Sequence, residues 1–427
     1  MELFISNILP RIPGISAGNN HLFVNKHKSF ESFGWDIYSI VSALPAGVEL
    51  VLADVAAIKL NNKLVWKESI RVMNDLLHST WGNKDEINVN NCLAELTLPI
   101  AISVIGAAGF GRKISWREDS LVRHGHKMMF KDALRTLALG VIAKVAIPSI
   151  VMNLFPSLRT INLAFDELRA YMGEMIQSRL TSEKPERDDL FTNLLEANDM
   201  DDGVLTNDEL FGNVFIFLLA GNETTANTLC MAFALLALYP ATQQRLFEHI
   251  RGIVPEGTEP TYEHVPQLDY VLAVVYETLR MFPPVTGIPK ESSEDTTLLT
   301  GNLKGEKLVV PVPKGTLLTI SIAGVHYNPR YWEDPHEFNP SRFLGDWERD
   351  AFLPFAAGAR ACLGRRFAEL EIAAVLCMLV SQYRIEIQDE PQFVGESFEA
   401  KKERVLRVRL GLTLTPDKIS LTFKRRI

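Results

Sequence analysis

The sequence predicts a mainly α fold with small β-sheets, and three observations carry that expectation. Helical periodicity runs from Asn61 to about residue 180 and resumes near Thr206. The strand-like runs are short and bounded by turn residues. No linker, low-complexity block or internal repeat divides the 427 residues, so one multihelical domain over residues 1–427 is expected. With 47% hydrophobic and 22% charged residues, the chain can bury a large core.

Taken in order, Ile37–Ala53 holds two β-like runs around Pro45-Ala46-Gly47, which predicts a hairpin. Asn61–His78 sets Leu64, Val65, Val72, Met73, Leu76 and Leu77 on one helix face, and further helices follow, broken at Gly109–Gly111 and Pro148. Thr206-Asn207-Asp208-Glu209 reads as a capping box opening a helix of about 33 residues, roughly 50 Å, that Pro240 ends. A helix before Arg280 is stopped by Pro283-Pro284. Strands are expected at Lys307–Pro311 and Leu317–Ile322, then loop to Pro354, a helix from Cys362 to about Tyr383, and β structure at Tyr383–Ile387 and Leu412–Phe423.

Composition excludes several function classes. A net charge of −8 with interspersed signs offers no basic stripe for nucleic acid. The cysteines Cys92, Cys230, Cys362 and Cys377 lack C-x-x-C spacing, and unpaired thiols fit a reducing compartment. Met1–Pro10 is too short and polar for a signal peptide or spanning anchor. Leu96–Gly111 and Thr224–Gln244 read as buried helices before membrane spans.

Chemistry concentrates at Phe355-Ala-Ala-Gly358-Ala-Arg360-Ala-Cys362-Leu-Gly364, a loop entering a helix. Free amides at a helix start favour a thiolate, and the glycines admit close approach by backbone or a flat group. A buried structural cysteine is the alternative for a lone Cys, but the full spacing arises by chance on the order of 10⁻⁴ in such a chain. The loop resembles the heme-binding signature of the cytochrome P-450 family. The resemblance implies the P-450 fold, a b-type heme, Cys362 as its axial thiolate and metal ligand, and Arg360 against a propionate. Phe355, Gly358 and Gly364 complete the cofactor loop.

Ala220-Gly221-Asn222-Glu223-Thr224-Thr225 places poor helix formers inside the long apolar helix. A buried helix with a Thr back-bond is one reading. The resemblance to the family's oxygen-activating helix implies another, in which Gly221 makes room for dioxygen, Thr224 hydrogen-bonds it and Glu223 relays protons through water. Helical spacing then sets Phe217, Ala220, Gly221 and Thr224 on one side. Glu277 and Arg280 share a helix face, and with Arg342 of Pro340-Ser-Arg342-Phe343 they resemble the family's buried Glu/Arg/Arg network. Lys290 stands where the family often has a propionate-binding arginine. His326 is equally readable as a structural histidine or a residue near the heme edge.

Family membership implies a monooxygenase that inserts one atom of O2 into a hydrophobic substrate. Pocket positions would be Phe217, Ala220, Val285, Ile288 and Leu412. No G-x-G-x-x-G follows a strand, so electrons are expected from a separate NADPH-cytochrome P-450 reductase, with cytochrome b5 as a further donor, docking near Arg365 and Arg366. A monomer is expected, at the endoplasmic reticulum surface by resemblance, or in the cytoplasm for want of an anchor.

The resemblance spans about residues 20–427, yet no tryptophan has arginine four residues later, as the family's Trp-x-x-x-Arg helix requires. The passage near 59–61 therefore reads as a missing segment, which predicts weakened heme retention. Alternatives to turnover are a non-catalytic or incomplete heme protein and a heme-thiolate isomerase or peroxide-using enzyme.

Overall fold

The computed structural model describes residues 61–112, 122, 124–181, 189–192, 207–301, 306–358, 361–410 and 413–426. The expected hairpin at 37–53, Thr206, Arg360 and Leu412 lie outside these residues.

In chain order, α1 (Asn62–Asn74) starts where the Asn61 side chain accepts the Leu64 amide at 3.0 Å. A π-helical turn (Asp75–Trp81) extends it to β1 (Glu86–Val89). α2 (Leu98–Val104) is flanked by π-helical turns at Leu93–Thr97 and Ile105–Gly109. α3 (Phe130–Ala146), the short α4 (Ser149–Met152) and α5 (Pro156–Thr181) follow, with Pro148 and Pro156 setting the breaks. α6 (Asn207–Leu238) is the long helix, and Pro240 begins α7 (Pro240–Ile253). After α8 (Asp269–Met281) come β2 (Gly287–Glu291), β3 (Thr296–Gly301), β4 (Lys307–Val312), β5 (Leu317–Ser321) and α9 (Ile322–His326). The C-terminal part holds α10 (Arg365–Gln382), β6 (Tyr383–Ile387), α11 (Phe398–Val405), β7 (Val408–Leu410), β8 (Leu414–Pro416) and β9 (Leu421–Arg425).

These elements gather into two compact units. The first takes in Ala273–Cys362 and Glu403–Asp417, the second Leu363–Lys402, Lys418–Ile427 and the described residues of 52–272. The first unit is built on three two-stranded antiparallel sheets, β2 with β5, β3 with β4 and β7 with β8. In the second unit α6 is buried without interruption from Thr225 to Leu236, which is why it carries no polar stripe. Gln243 of α7 donates to Leu236 O and Ile385 O, both at 2.9 Å, and accepts the Ile385 amide at 2.8 Å. One amide thus ties the end of α6 to β6.

The strands expected at Lys307–Pro311, Leu317–Ile322 and Tyr383–Ile387 are β4, β5 and β6 to within one residue, while β1, β2, β3 and β7 have no counterpart in the sequence expectation. The run expected as β at Leu412–Phe423 splits between β8, which pairs with β7, and β9, which lies between β1 and β6. The stretches Leu96–Gly111 and Thr224–Gln244 are largely buried in the second unit. Among the described residues no single helix is long and apolar enough to cross a membrane.

Candidate functional site

The cysteine loop belongs to the first unit and is closed by its own backbone. Cys362 N donates to Phe355 O at 2.8 Å, Ala361 N to Gly358 O at 3.1 Å and Ala356 N to Leu353 O at 3.1 Å. Ala356 has φ 56 and Gly358 φ 80, so two left-handed residues bend the chain within three positions, and only one is glycine. A Cβ built on Gly358 meets nothing within 4 Å, so the loop has open space on that side.

Of the four cysteines, Cys362 alone is exposed; Cys92, Cys230 and Cys377 are buried. Burial pushes the Cys92 and Cys377 thiols up, making them poor thiolates. A sulfur offered to an external group can come only from Cys362, and an exposed thiol in an open, glycine-bent loop fits an axial thiolate. Gly364 caps α10, accepting the Ala368 amide at 2.9 Å.

Behind the loop, the first unit brings Glu277, Arg280 and Arg342 together. Glu277 accepts Arg280 Nε at 2.7 Å, Arg280 Nη2 at 2.9 Å, Arg342 Nε at 3.1 Å and the Asn339 amide at 2.9 Å. Arg280 spends its remaining N–H groups on the carbonyls of His326 and Pro335, both at 2.8 Å, and of Glu337 at 3.3 Å. Glu277 and Arg280 side chains are 0% exposed. A charge cluster this deep holds because every donor has an acceptor.

His326 extends the cluster. Its Nδ1 lies 3.0 Å from Arg280 O, and its Nε2 accepts the Leu353 amide at 2.9 Å. The geometry sets a neutral tautomer with the proton on Nδ1, and burial pulls its pKa down to about 3. The imidazole is a bracket between α8 and the strand of chain entering the cysteine loop. Phe352 stacks on it, and Phe352, Phe343 and Trp347 in turn pack edge-on or tilted against Tyr276, with Trp332 tilted against Phe343. Lys290 and Val285 are exposed and Ile288 is half-buried on or before β2, so the three stand near one another in the first unit only along the chain.

The α6 residues belong to the second unit. Phe217, Gly221, Glu223 and Thr224 are half-buried and Ala220 exposed, just before the stretch of the helix that is buried from Thr225 to Leu236. Thr224 Oγ1 donates to Ala220 O at 2.8 Å, the back-bond one sequence reading expected. Its proton is committed to the helix while its lone pairs stay available. A Cβ on Gly221 would meet Ile105 Cδ1 at 3.2 Å, so the missing side chain admits the π-helical turn of Ile105–Gly109, a contact that sequence reasoning did not foresee. Arg365 and Arg366 pair with Glu369 at 2.9 and 3.2 Å, which leaves that turn of α10 with a single net positive charge.

Comparison with known proteins follows the same lines. A family profile described as Cytochrome P450 matches residues 50–412. Cytochrome P450 monooxygenase 124 of Postia placenta is 44% identical over 469 aligned positions, covering 97% of this chain and 90% of the relative. Cytochrome P450 monooxygenase ORF6 of Penicillium roqueforti is 28% identical over 86% of this chain and 69% of its own length. A crystal structure of a cytochrome P450DA heme domain superposes with TM-score 0.71 at 20% identity, covering 87% of this chain and 76% of that one, a likeness of fold. The 469 aligned positions take in 97% of the 427 residues here, so about 55 residues of the Postia protein stand opposite gaps in this chain.

Proposed function

The chain belongs to the cytochrome P450 family and is a monooxygenase, and from that premise we propose that Cys362 is the axial thiolate of a b-type heme. The observation that carries the reading is the exposed Cys362 thiol in a loop bent by Ala356 and Gly358 and backed by the Glu277/Arg280/Arg342 cluster. When bound, the group supplies a redox-active iron, with the thiolate's electron donation favouring O–O cleavage. Phe355, Gly358 and Gly364 shape its seat, and Arg360 and Lys290 supply positive charge to its carboxylates.

In this reading the buried cluster acts as a positioning device. Arg280 clamps the carbonyls of His326 and Pro335, His326 holds the Leu353 amide, and the loop carrying Cys362 starts from that fixed point. On α6, Thr224 accepts or donates a hydrogen bond by rotating its hydroxyl away from Ala220 O, and Glu223 passes protons to it through water. The apolar or small residues Phe217, Ala220, Val285 and Ile288 suit a hydrophobic substrate, into which one atom of O2 is inserted. Two electrons come from an external NADPH-dependent reductase, with cytochrome b5 as a further donor; Arg365 and Arg366 are its docking charges, weakened by Glu369.

Attachment to a membrane surface is part of the same proposal. At the corner between α3 and α5, Ile150, Val151, Leu154 and Phe155 are 81, 41, 71 and 54% exposed. Between Asp132 and Asp166 the chain holds no acid, while Arg135, Lys144 and Arg159 are basic. An apolar corner flanked by cations suits the interface of an anionic bilayer.

The test is the carbon monoxide difference spectrum of the dithionite-reduced protein beside Cys362→Ala. A strongly red-shifted Soret band that the substitution removes is expected; a band that survives it would overturn Cys362 as ligand. The gap against the Postia relative supports a second reading, a heme protein without turnover. NADPH consumption with added reductase separates the two, since the second reading expects none.

A further inference from the structure

Thr228 stands at the end of the polar stretch of α6, and every residue from Leu229 to Leu236 is apolar. It is 3% exposed, and its hydroxyl donates to Thr224 O at 2.8 Å. Thr224 in turn donates its own hydroxyl to Ala220 O, also at 2.8 Å. Residues 220, 224 and 228 are spaced four apart, so both bonds lie in one row on one helix face. The row runs from exposed Ala220 through half-buried Thr224 to buried Thr228. Alanine would serve the helix better than threonine at its buried end, so helix propensity does not account for the residue.

A threonine hydroxyl that donates to the carbonyl four residues back adds a second donor to an oxygen that already accepts a helix amide. The doubly bonded carbonyl leans away from the helix axis, and the helix bends locally. On α6 the carbonyls of Ala220 and Thr224 are both loaded in this way, so the two bends add on one face. The lean of the Thr224 carbonyl is also the orientation of the residue that bears the Thr224 hydroxyl. Whatever holds that carbonyl therefore sets how the side chain is presented.

We propose that Thr228 is a positioning residue for Thr224, acting through the Thr224 carbonyl. The inference rests on the reading above, in which the Thr224 hydroxyl rotates away from Ala220 O to serve the oxygen chemistry. Burial divides the work between the two threonines. Thr228 has no solvent to exchange with, so its proton stays on Thr224 O, since a buried hydroxyl without an acceptor costs stability. Thr224 is half-buried and can trade Ala220 O for another partner. One hydroxyl is fixed so that the other turns on a backbone that does not move with it.

The test compares three variants with the parent. Thr228→Val keeps the shape and removes the hydroxyl, Thr228→Ser keeps the hydroxyl, and Thr224→Val removes the group being positioned. The first readout is the infrared stretch of carbon monoxide on the reduced heme, which responds to polar groups beside the gas and not to overall stability. Thr224→Val should move the band, Thr228→Val should move it in the same direction, and Thr228→Ser should leave it where the parent has it. A band that Thr224→Val moves and Thr228→Val does not overturns the proposal while leaving the reading of Thr224 intact. If Thr228→Ser moves the band as far as Thr228→Val does, the hydroxyl is not the acting group and the proposal fails. A band unmoved by Thr224→Val defeats the reading of Thr224, and the proposal falls with it.

A second readout needs no heme. With the threonine carbonyls isotopically labelled, the amide I difference between the parent and Thr228→Val should contain the low-frequency component of a carbonyl that accepts two donors. The difference between the parent and Thr228→Ser should lack it. If the component is absent from the Thr228→Val difference, the bond to Thr224 O is not made in solution and Thr228 positions nothing. Neither readout needs a substrate or an electron donor.

Discussion

Glu277 and Glu371 are both helix carboxylates with 0% exposure, yet their surroundings are opposite. Glu277, in the first unit, receives four donors from Arg280, Arg342 and the Asn339 amide. Glu371, in the second, has none among the described residues. Burial therefore does not decide what a carboxylate contributes; the count of donors does. A satisfied acid fixes the backbone that supplies or surrounds its partners, here the stretch leading to Cys362. An unsatisfied acid fixes nothing and costs stability for as long as it remains alone.

The largest effect expected from breaking this contrast is at the satisfied site. Glu277→Gln leaves the Arg280 guanidinium buried without its counter-charge and should destabilise the protein by about 3–5 kcal/mol. Arg342→Ala should cost less, about 1–3 kcal/mol, because that side chain is partly exposed and gives Glu277 a single hydrogen bond. Denaturant unfolding read by tryptophan fluorescence measures both, since Arg280 lies 5.5 Å from the Trp332 ring centre. Losses below about 1 kcal/mol in both variants would mean that the cluster does not hold the loop.

Next in size are two pH dependences of opposite sign. Burial lowers the His326 pKa to about 3, so between that value and the unfolded value near 6.5 the unfolded chain binds the extra proton. The stability that neutral His326 contributes is present above pH 6.5 and lost as pH falls below it. His326→Gln should be less stable at pH 7 but should flatten the acid limb of the stability curve. Glu371 runs the other way. Its raised pKa keeps the folded state protonated while the unfolded state ionises, so stability falls as pH rises above about 4.5. The advantage of Glu371→Leu over the parent should therefore widen from pH 5 to pH 8. Urea midpoints across that range measure both slopes, and parallel curves for variant and parent would remove the distinction between the two acids.

How much of this was legible in the sequence follows from which signals are local. α6 announced itself through its apolar run and Pro240, and the cysteine loop through fixed spacing. Glu277, Arg280 and Arg342 are separated by up to 65 residues, so only family resemblance, not periodicity, could join them. β1 is four residues long with three of them not fully buried, and pairs with β9 near the far end of the chain, which no local pattern shows. Glu371 was invisible for a different reason. In Glu369-Leu370-Glu371 the two acids look alike, and only packing reveals that one pairs with arginines and the other is buried without a hydrogen-bond partner among the described residues. Gly221 is read toward dioxygen by family resemblance, and no local pattern in the sequence reveals Ile105 opposite it.

The smallest expected effect tests that last residue. Gly221→Ala gains about 1 kcal/mol of helix propensity but sets its new Cβ 3.2 Å from Ile105 Cδ1, so the net change should lie near zero. Ile105→Val deletes that Cδ1 atom. If Gly221 exists to admit the Ile105 turn, the double variant should exceed the sum of the singles by about 0.5–1 kcal/mol in a denaturation cycle. Additive singles would mean that the contact carries no energy, and the case for Gly221 as a residue of the oxygen-activating helix would strengthen. The two roles also part in activity. A packing glycine predicts that the well-folded double variant keeps its monooxygenase turnover, whereas a glycine kept for dioxygen predicts that turnover falls while stability does not.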